Sequence, residues 1–429
     1  MKYFAFFGLL FSAYISAQTP ILLDTLNLSQ RKALHDKYTK KTEVFLSGLG
    51  AQCSKQELKK VKSILTEEYD DIKKEINKNS LIVDSPLNQY LDALLANIRE
   101  KNPNSPEIYL MISREFETNA LNIGEGTIII NNYLLSNLDN EDQLVFVICH
   151  EIAHQSLNHV FSSVLNFVKK ENSNEMKGKV KELKRKKYNN KVEAENLLKD
   201  IVYKNSKEQR KKESEADSLG YVYYSRLGRN KQQPVKTLEN LKNSDYEGDS
   251  LKVADYKRMF STSGLNFKEE WFKMDDYSIY HYKKSTRFNT DSLKTHPNIE
   301  DRIATLKKSF PESLDKKDPT PVTASATFDQ WHNNAMHQNV YNEYISEHYG
   351  NSLYEALKLY NRKPTPFLKK MIGQNFQKLY EAQKAYRLNR YVSQVDVNDH
   401  TNSFNLFCTF INNLKLDDFK AFADTFSKE

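Results

Sequence analysis

Residues 149–159 read CHEIAHQSLNH, and the run HEIAH within them places two histidines four apart with a glutamate after the first. In a helix, positions four apart lie about 40° from each other around the axis, so His150 and His154 project from one face. Imidazole nitrogens at that spacing can both reach one zinc ion, and Glu151 sits on the flank of the same face, where it can act on a water at the metal. The competing reading is an ordinary buried helix that carries the pattern by chance. His159 is nine residues after His150, about 180° around a continuous helix, and is therefore expected to face away.

The surroundings favour a helix. LDNEDQLVFVICHEIAHQSLNHVF (138–161) offers Asp139 or Asn140 as N-cap and acidic residues in the first turn, where they complement the helix dipole. Cys149 does not make a thiol–base pair with His150, because adjacent helical residues diverge by about 100°. It reads as buried packing.

Two histidines need a third ligand. Leu157 and Val160 stand where the longer metzincin pattern needs a glycine and a third histidine, so that class is excluded. The remaining route is a carboxylate from another helix, and KKESEADSLGYVYY (211–224) presents Glu213 and Asp217 four apart on one face. Glu213 can complete a zinc site, and Asp217 can accept a proton from the rear nitrogen of a liganding histidine.

The 429 residues suffice for one large or two to three ordinary domains, and 39% hydrophobic with 28% charged residues suits a globular chain with a sizeable core. Only 12 Gly and 11 Pro occur, so a mostly helical protein of α+β class is expected. MKYFAFFGLLFSAYISAQTP (1–20) has Lys2, an apolar core over Tyr3–Ile15 and a small-residue exit at Ser16-Ala17. It predicts a signal peptide over 1–17, with an uncleaved anchor as the alternative. No other segment approaches the length of a membrane span, so the mature chain is expected to be exported, periplasmic or secreted. A net charge of +7 demands no acidic partner, and no nucleic-acid binding is expected. Three cysteines permit one disulfide without fixing it.

The expected organisation is a helical segment over 18–84, a catalytic domain over 85–310, a linker over 311–330 with three prolines, and a helical region over 331–429. Within the catalytic domain, 108–132 changes to β-branched runs around Gly124-Glu125-Gly126, which read as two or three strands with a tight turn. A lysine-rich insert spans 169–212, and its interspersed glutamates read as a solvated helix or flexible segment. The aromatic-rich stretch 246–290 has no clear period.

Four motifs in order give the chain its resemblance: TNALNIGEGTIIINNYLL (118–135), HEIAH (150–154), ESEAD (213–217) and THPNIEDRI (295–303). Over about 85–310 it resembles metallopeptidase family forty-eight, the HtpX-like and CAAX-prenyl-protease-like zinc peptidases. Asn122 and Ile123 depart from the more apolar or proline-containing run usual there. The resemblance implies a zincin-type (gluzincin) catalytic domain with a small β-sheet beside the HExxH helix, and a zinc-dependent metalloendopeptidase acting on protein or peptide substrates. It implies one zinc ion on His150, His154 and Glu213, Glu151 as general base and Asp217 behind a histidine. It also implies that His296 approaches the metal or stabilises the reacting carbonyl and that Arg302 orients Asp217 or a nearby carboxylate. Asn119, Ala120 and Leu121 would bind an extended substrate by edge pairing. The alternative keeps zinc but serves as a binding or chaperone-like module, with the C-terminal region recruiting protein partners.

Overall fold

The computed structural model describes residues 27–50, 53–78, 80–83, 85–174, 177–178, 181, 190–243, 251–273, 299–314, 320–396 and 400–427, with backbone alone at 85 and 190–206. Helices dominate them, around one small sheet. Two N-terminal helices, α1 (Leu28–Gly48) and α2 (Lys55–Asn77), pack together; a capping box between Ser54 and Glu57 starts the second. The buried Arg31 guanidinium on α1 donates to the carbonyls of Ile76 and Lys78 at the end of α2 and to Leu81 at the start of the sheet.

The sheet has four strands in the order β1-β2-β4-β3: β1 (Leu81–Ile82), β2 (Tyr109–Ser113), β3 (Ala120–Asn122) and β4 (Thr127–Asn131). Strands β2 and β4 are parallel, and the outer pairings are antiparallel. Between β1 and β2 lies α3 (Ser85–Lys101). Alternate residues divide between two cores. Leu110, Ile112, Ile128 and Ile130 join one, whereas Met111 and Ile129 join the other with α1, α2 and α6 (His159–Asn172). Both faces are covered, which is why β4 reads as an unbroken apolar run rather than an alternating one. Gly124 and Gly126 hold positive φ angles of 102° and 90° in the β3–β4 turn, where a Cβ would strike Val160 and the carbonyl of Glu107 respectively.

After the short α4 (Asn132–Asn137) comes α5 (Glu141–Ser156), buried on every side from Glu141 to Ala153. Asn140 caps it through Gln143 N, and Arg229 pairs with both first-turn acids, at 2.9 Å from Glu141 and 2.6 Å from Asp142. Helix α7 (Asn190–Ser225) packs along α5, with α8 (Gln233–Asn243) and α10 (Ile299–Ser309) beside them. The second half of the expected lysine-rich insert is therefore the front of the helix that carries Glu213.

The remaining helices form a third, aromatic core. These are α9 (Val253–Thr262), α11 (Ala326–Ile345), α12 (Tyr349–Arg362), α13 (Pro366–Lys384), α14 (Asn402–Asn413) and α15 (Leu416–Ser427). Two details differ from the expected boundaries. Residues 251–273, expected within the catalytic domain, supply Tyr256, Phe260, Trp271 and Phe272 to this C-terminal core, packed around Phe410. The stretch expected as a linker is held down: Thr323 N and Ser325 Oγ bond Asp142 and Glu141, and Phe328 begins a buried helix face. Its small polar residues bind the α5 terminus instead of floating in water. Among the described residues, no helix is long and apolar enough to cross a membrane.

Candidate metal centre

Helix α5 delivers His150 and His154 to one point. Their Nε2 atoms lie 3.1 Å apart, and Glu213 on α7 faces both, with Oε2 3.6 Å from His150 Nε2 and Oε1 3.6 Å from His154 Nε2. Tetrahedral bonds of about 2.0–2.1 Å place ligand atoms roughly 3.3–3.4 Å apart, so the three donors fit a zinc ion. Glu151 is nearly buried, with Oε1 3.9 Å from His150 Nε2. The ligand-type atoms of His150, Glu151 and His154 all lie within 4.8 Å of one another, so Glu151 competes with Glu213 for the third place. Glu213 fits the third place better because it approaches both histidines at 3.6 Å, whereas Glu151 stands farther back, at 3.9 Å from His150.

The approach of α7 depends on Gly220. A Cβ there would lie 2.9 Å from His150 Cα and 3.0 Å from its nitrogen, so the helices touch backbone to backbone. The sequence carried the signal, an isolated glycine inside a helical pattern, without its meaning.

Behind His150, Nδ1 lies 3.0 Å from Asp217 Oδ1. Arg302 grips Asp217 with two bonds, Nε to Oδ2 at 2.7 Å and Nη2 to Oδ1 at 2.6 Å, and its Nη1 is 3.3 Å from Glu213 Oε2. At 5% exposure Arg302 is no surface salt bridge. Burial works against the charged Asp217, yet the adjoining Arg302 and His150 hold its pKa down to about 2. Burial likewise opposes a charged His150, but Asp217 and Glu213 prevail and push it up to about 10 in the metal-free protein. His154, desolvated beside a charged His150, is pulled down to about 3.

His159 does not face away. Helix α5 stops at Ser156, Asn158 takes a left-handed conformation (φ 53°), and α6 starts at His159. The break returns the ring to the site, with Nδ1 2.9 Å from His154 Nδ1, the nitrogen remote from Glu213. The expectation failed because it continued the helix through an asparagine suited to the left-handed region. Cys149 is fully buried, and burial raises its thiol pKa; all three cysteines are free.

Strand β3 is the sheet's edge beside α5, and Asn122 Nδ2 donates to the Glu151 carbonyl at 3.1 Å. Asn131 N bonds Asn119 O and Ile123 N bonds Thr127 O, so the odd-numbered residues pair with β4. By alternation, the backbone of Ala120 and Asn122 faces the outer edge, while the Asn119 and Leu121 backbone faces inward. His296 lies outside the described residues.

No curated protein matches the chain. A sequence profile of the family described as Peptidase family M48 matches residues 84–309, more than half of the protein and all of the elements that meet at the histidine pair. The chain belongs to this family of zinc metalloproteases, membership of which implies protein substrates.

Proposed function

We propose that the protein is a zinc-dependent metalloendopeptidase of gluzincin type, with His150, His154 and Glu213 holding one zinc ion. The observation that carries this reading is the convergence of the three donors at 3.1–3.6 Å, backed by the buried Asp217–Arg302 pair. When bound, zinc lowers the pKa of a water toward neutrality and polarises a carbonyl. Glu151 takes the proton of the attacking water and returns it to the leaving amine. Asp217 fixes the His150 ring through Nδ1, and Arg302 holds Asp217 and Glu213 in register. An extended substrate adds to the outer edge of β3 through Ala120 and Asn122, and His296 keeps the oxyanion-stabilising role that family resemblance gives it. The catalytic unit is assigned to 85–310 without 251–273, which joins the C-terminal core, and the segment 1–17 to export into the periplasm or medium, where the enzyme serves envelope protein quality control.

The test is cleavage of casein or a quenched peptide by wild type and Glu151→Gln, with and without chelator. The variant is expected to retain zinc and lose at least about 10³-fold in kcat, a scale set by removing a general base together with its positioning of water. Full activity in Glu151→Gln, or in the wild type stripped of zinc, would overturn the reading.

A further inference from the structure

Among the described residues, His159 is a buried titratable neighbour of His154 that has no task in the proposed mechanism. Its ring is 6% exposed, stands 4.9 Å from the His154 ring at 77°, and reaches it through the two Nδ1 atoms. On the other side, His159 Nε2 lies 3.4 Å from Glu215 Oε2, on the same helix as Glu213. Lys212 Nζ donates to the His159 carbonyl at 2.9 Å, so the backbone is fixed as well. A line of contacts therefore runs from His154 through His159 to Glu215.

We propose that His159 is a positioning residue for His154, acting as a neutral hydrogen-bond acceptor that is itself held by Glu215. The inference rests on the zinc reading. With His154 Nε2 given to the metal, its proton must sit on Nδ1. Two nitrogens 2.9 Å apart share one proton, so His159 Nδ1 is bare and accepts. The His159 proton then sits on Nε2, pointing at the Glu215 carboxylate. Each tautomer dictates the next, and the ring plane of His154 is set from behind.

Charge explains why the acceptor is an imidazole. Glu151, Glu213 and Asp217 carry three negative charges, and Arg302 with a zinc ion carries three positive ones. A carboxylate behind His154 would leave this buried group with a net charge, at a desolvation cost that a neutral ring avoids. Glu215, on the far side, is substantially exposed and screened by water.

Two measurements on the full chain decide the matter. Zinc affinity, read by competition with a chromophoric chelator, is expected to fall about tenfold in His159→Phe, the lower end of the ~10–100-fold effects of outer hydrogen-bond partners. His159→Gln, which restores an acceptor, should recover part of it, and Glu215→Gln should lose less than His159→Phe. Long-range proton–nitrogen spectra of ¹⁵N-histidine-labelled, zinc-loaded wild type should show His159 protonated on Nε2 and bare on Nδ1, with His154 the reverse. That spectrum needs no variant and reads the tautomer of each ring directly. A protonated Nδ1 on His159, or wild-type zinc affinity in a folded His159→Phe, overturns this assignment and leaves the zinc reading intact. A wild type whose zinc uptake is unchanged by His150→Ala overturns both.

Discussion

The two histidines of HEIAH are equivalent in sequence and unlike in their support. Behind His150 stands a buried ionic clamp, Asp217 gripped by Arg302. Behind His154 stands a neutral ring, His159, whose own partner Glu215 reaches solvent. One face of the site is thus fixed by charge and the other by tautomer. The charged side is the costly one to disturb, because a buried ion deprived of its partner has no water to turn to.

The largest disturbance should come from Arg302→Met. It takes the guanidinium from Asp217 and Glu213 and leaves them the His150 ring as their remaining counter-charge, and removing one partner of a buried pair costs up to about 3–5 kcal/mol. Urea unfolding of the metal-free protein measures it; a loss under about 1 kcal/mol would mean the clamp is dispensable. Asp217→Asn comes next, with a ~10–100-fold loss in zinc affinity. That loss should exceed the loss in His159→Phe, and equal losses would erase the distinction drawn between the two sides. Gly220→Ala sets two effects against each other. Helix propensity favours alanine by up to about 1 kcal/mol, whereas overpacking against the His150 backbone costs roughly 1–3. A net destabilisation with weakened zinc binding is expected, and a stabilised variant with unchanged affinity would show that the close approach is not needed.

The smallest effect is in acid. Asp217 has its pKa held to about 2 in the folded state against 3.8 ordinarily, so its contribution is present above pH 3.8 and lost as pH falls through about 2. The stability gap between metal-free wild type and Asp217→Asn should therefore narrow over that interval. A gap independent of pH would remove the ion pair from the account.

What the sequence made legible was local. HEIAH and ESEAD could be read because helical spacing alone decides which side chains share a face, and 108–132 could be read as strands from its change of period. The grip of Arg302 on Asp217 was legible only through the resemblance, which offered Asp217 or a nearby carboxylate, since nothing in spacing says which acid a residue 85 positions away will meet. His159 was misplaced because one residue, Asn158, breaks the helix in a left-handed conformation and so cancels any argument from periodicity. The aromatic residues 251–273 had no period to read; their placement depends on partners near 410, and long-range packing of that kind leaves no local trace.

Residues between 82 and 241 supply the core around α5, 251–273 the aromatic core, 299–310 return to the first, and α11 gives Phe328, Trp331 and Ala335 to one and Val340 to the other. The two halves are laced rather than tethered. Loss of either core strips contacts from the other, so cooperativity belongs to the whole lacing: the site on α5 should open and the C-terminal helices melt as one unfolding unit.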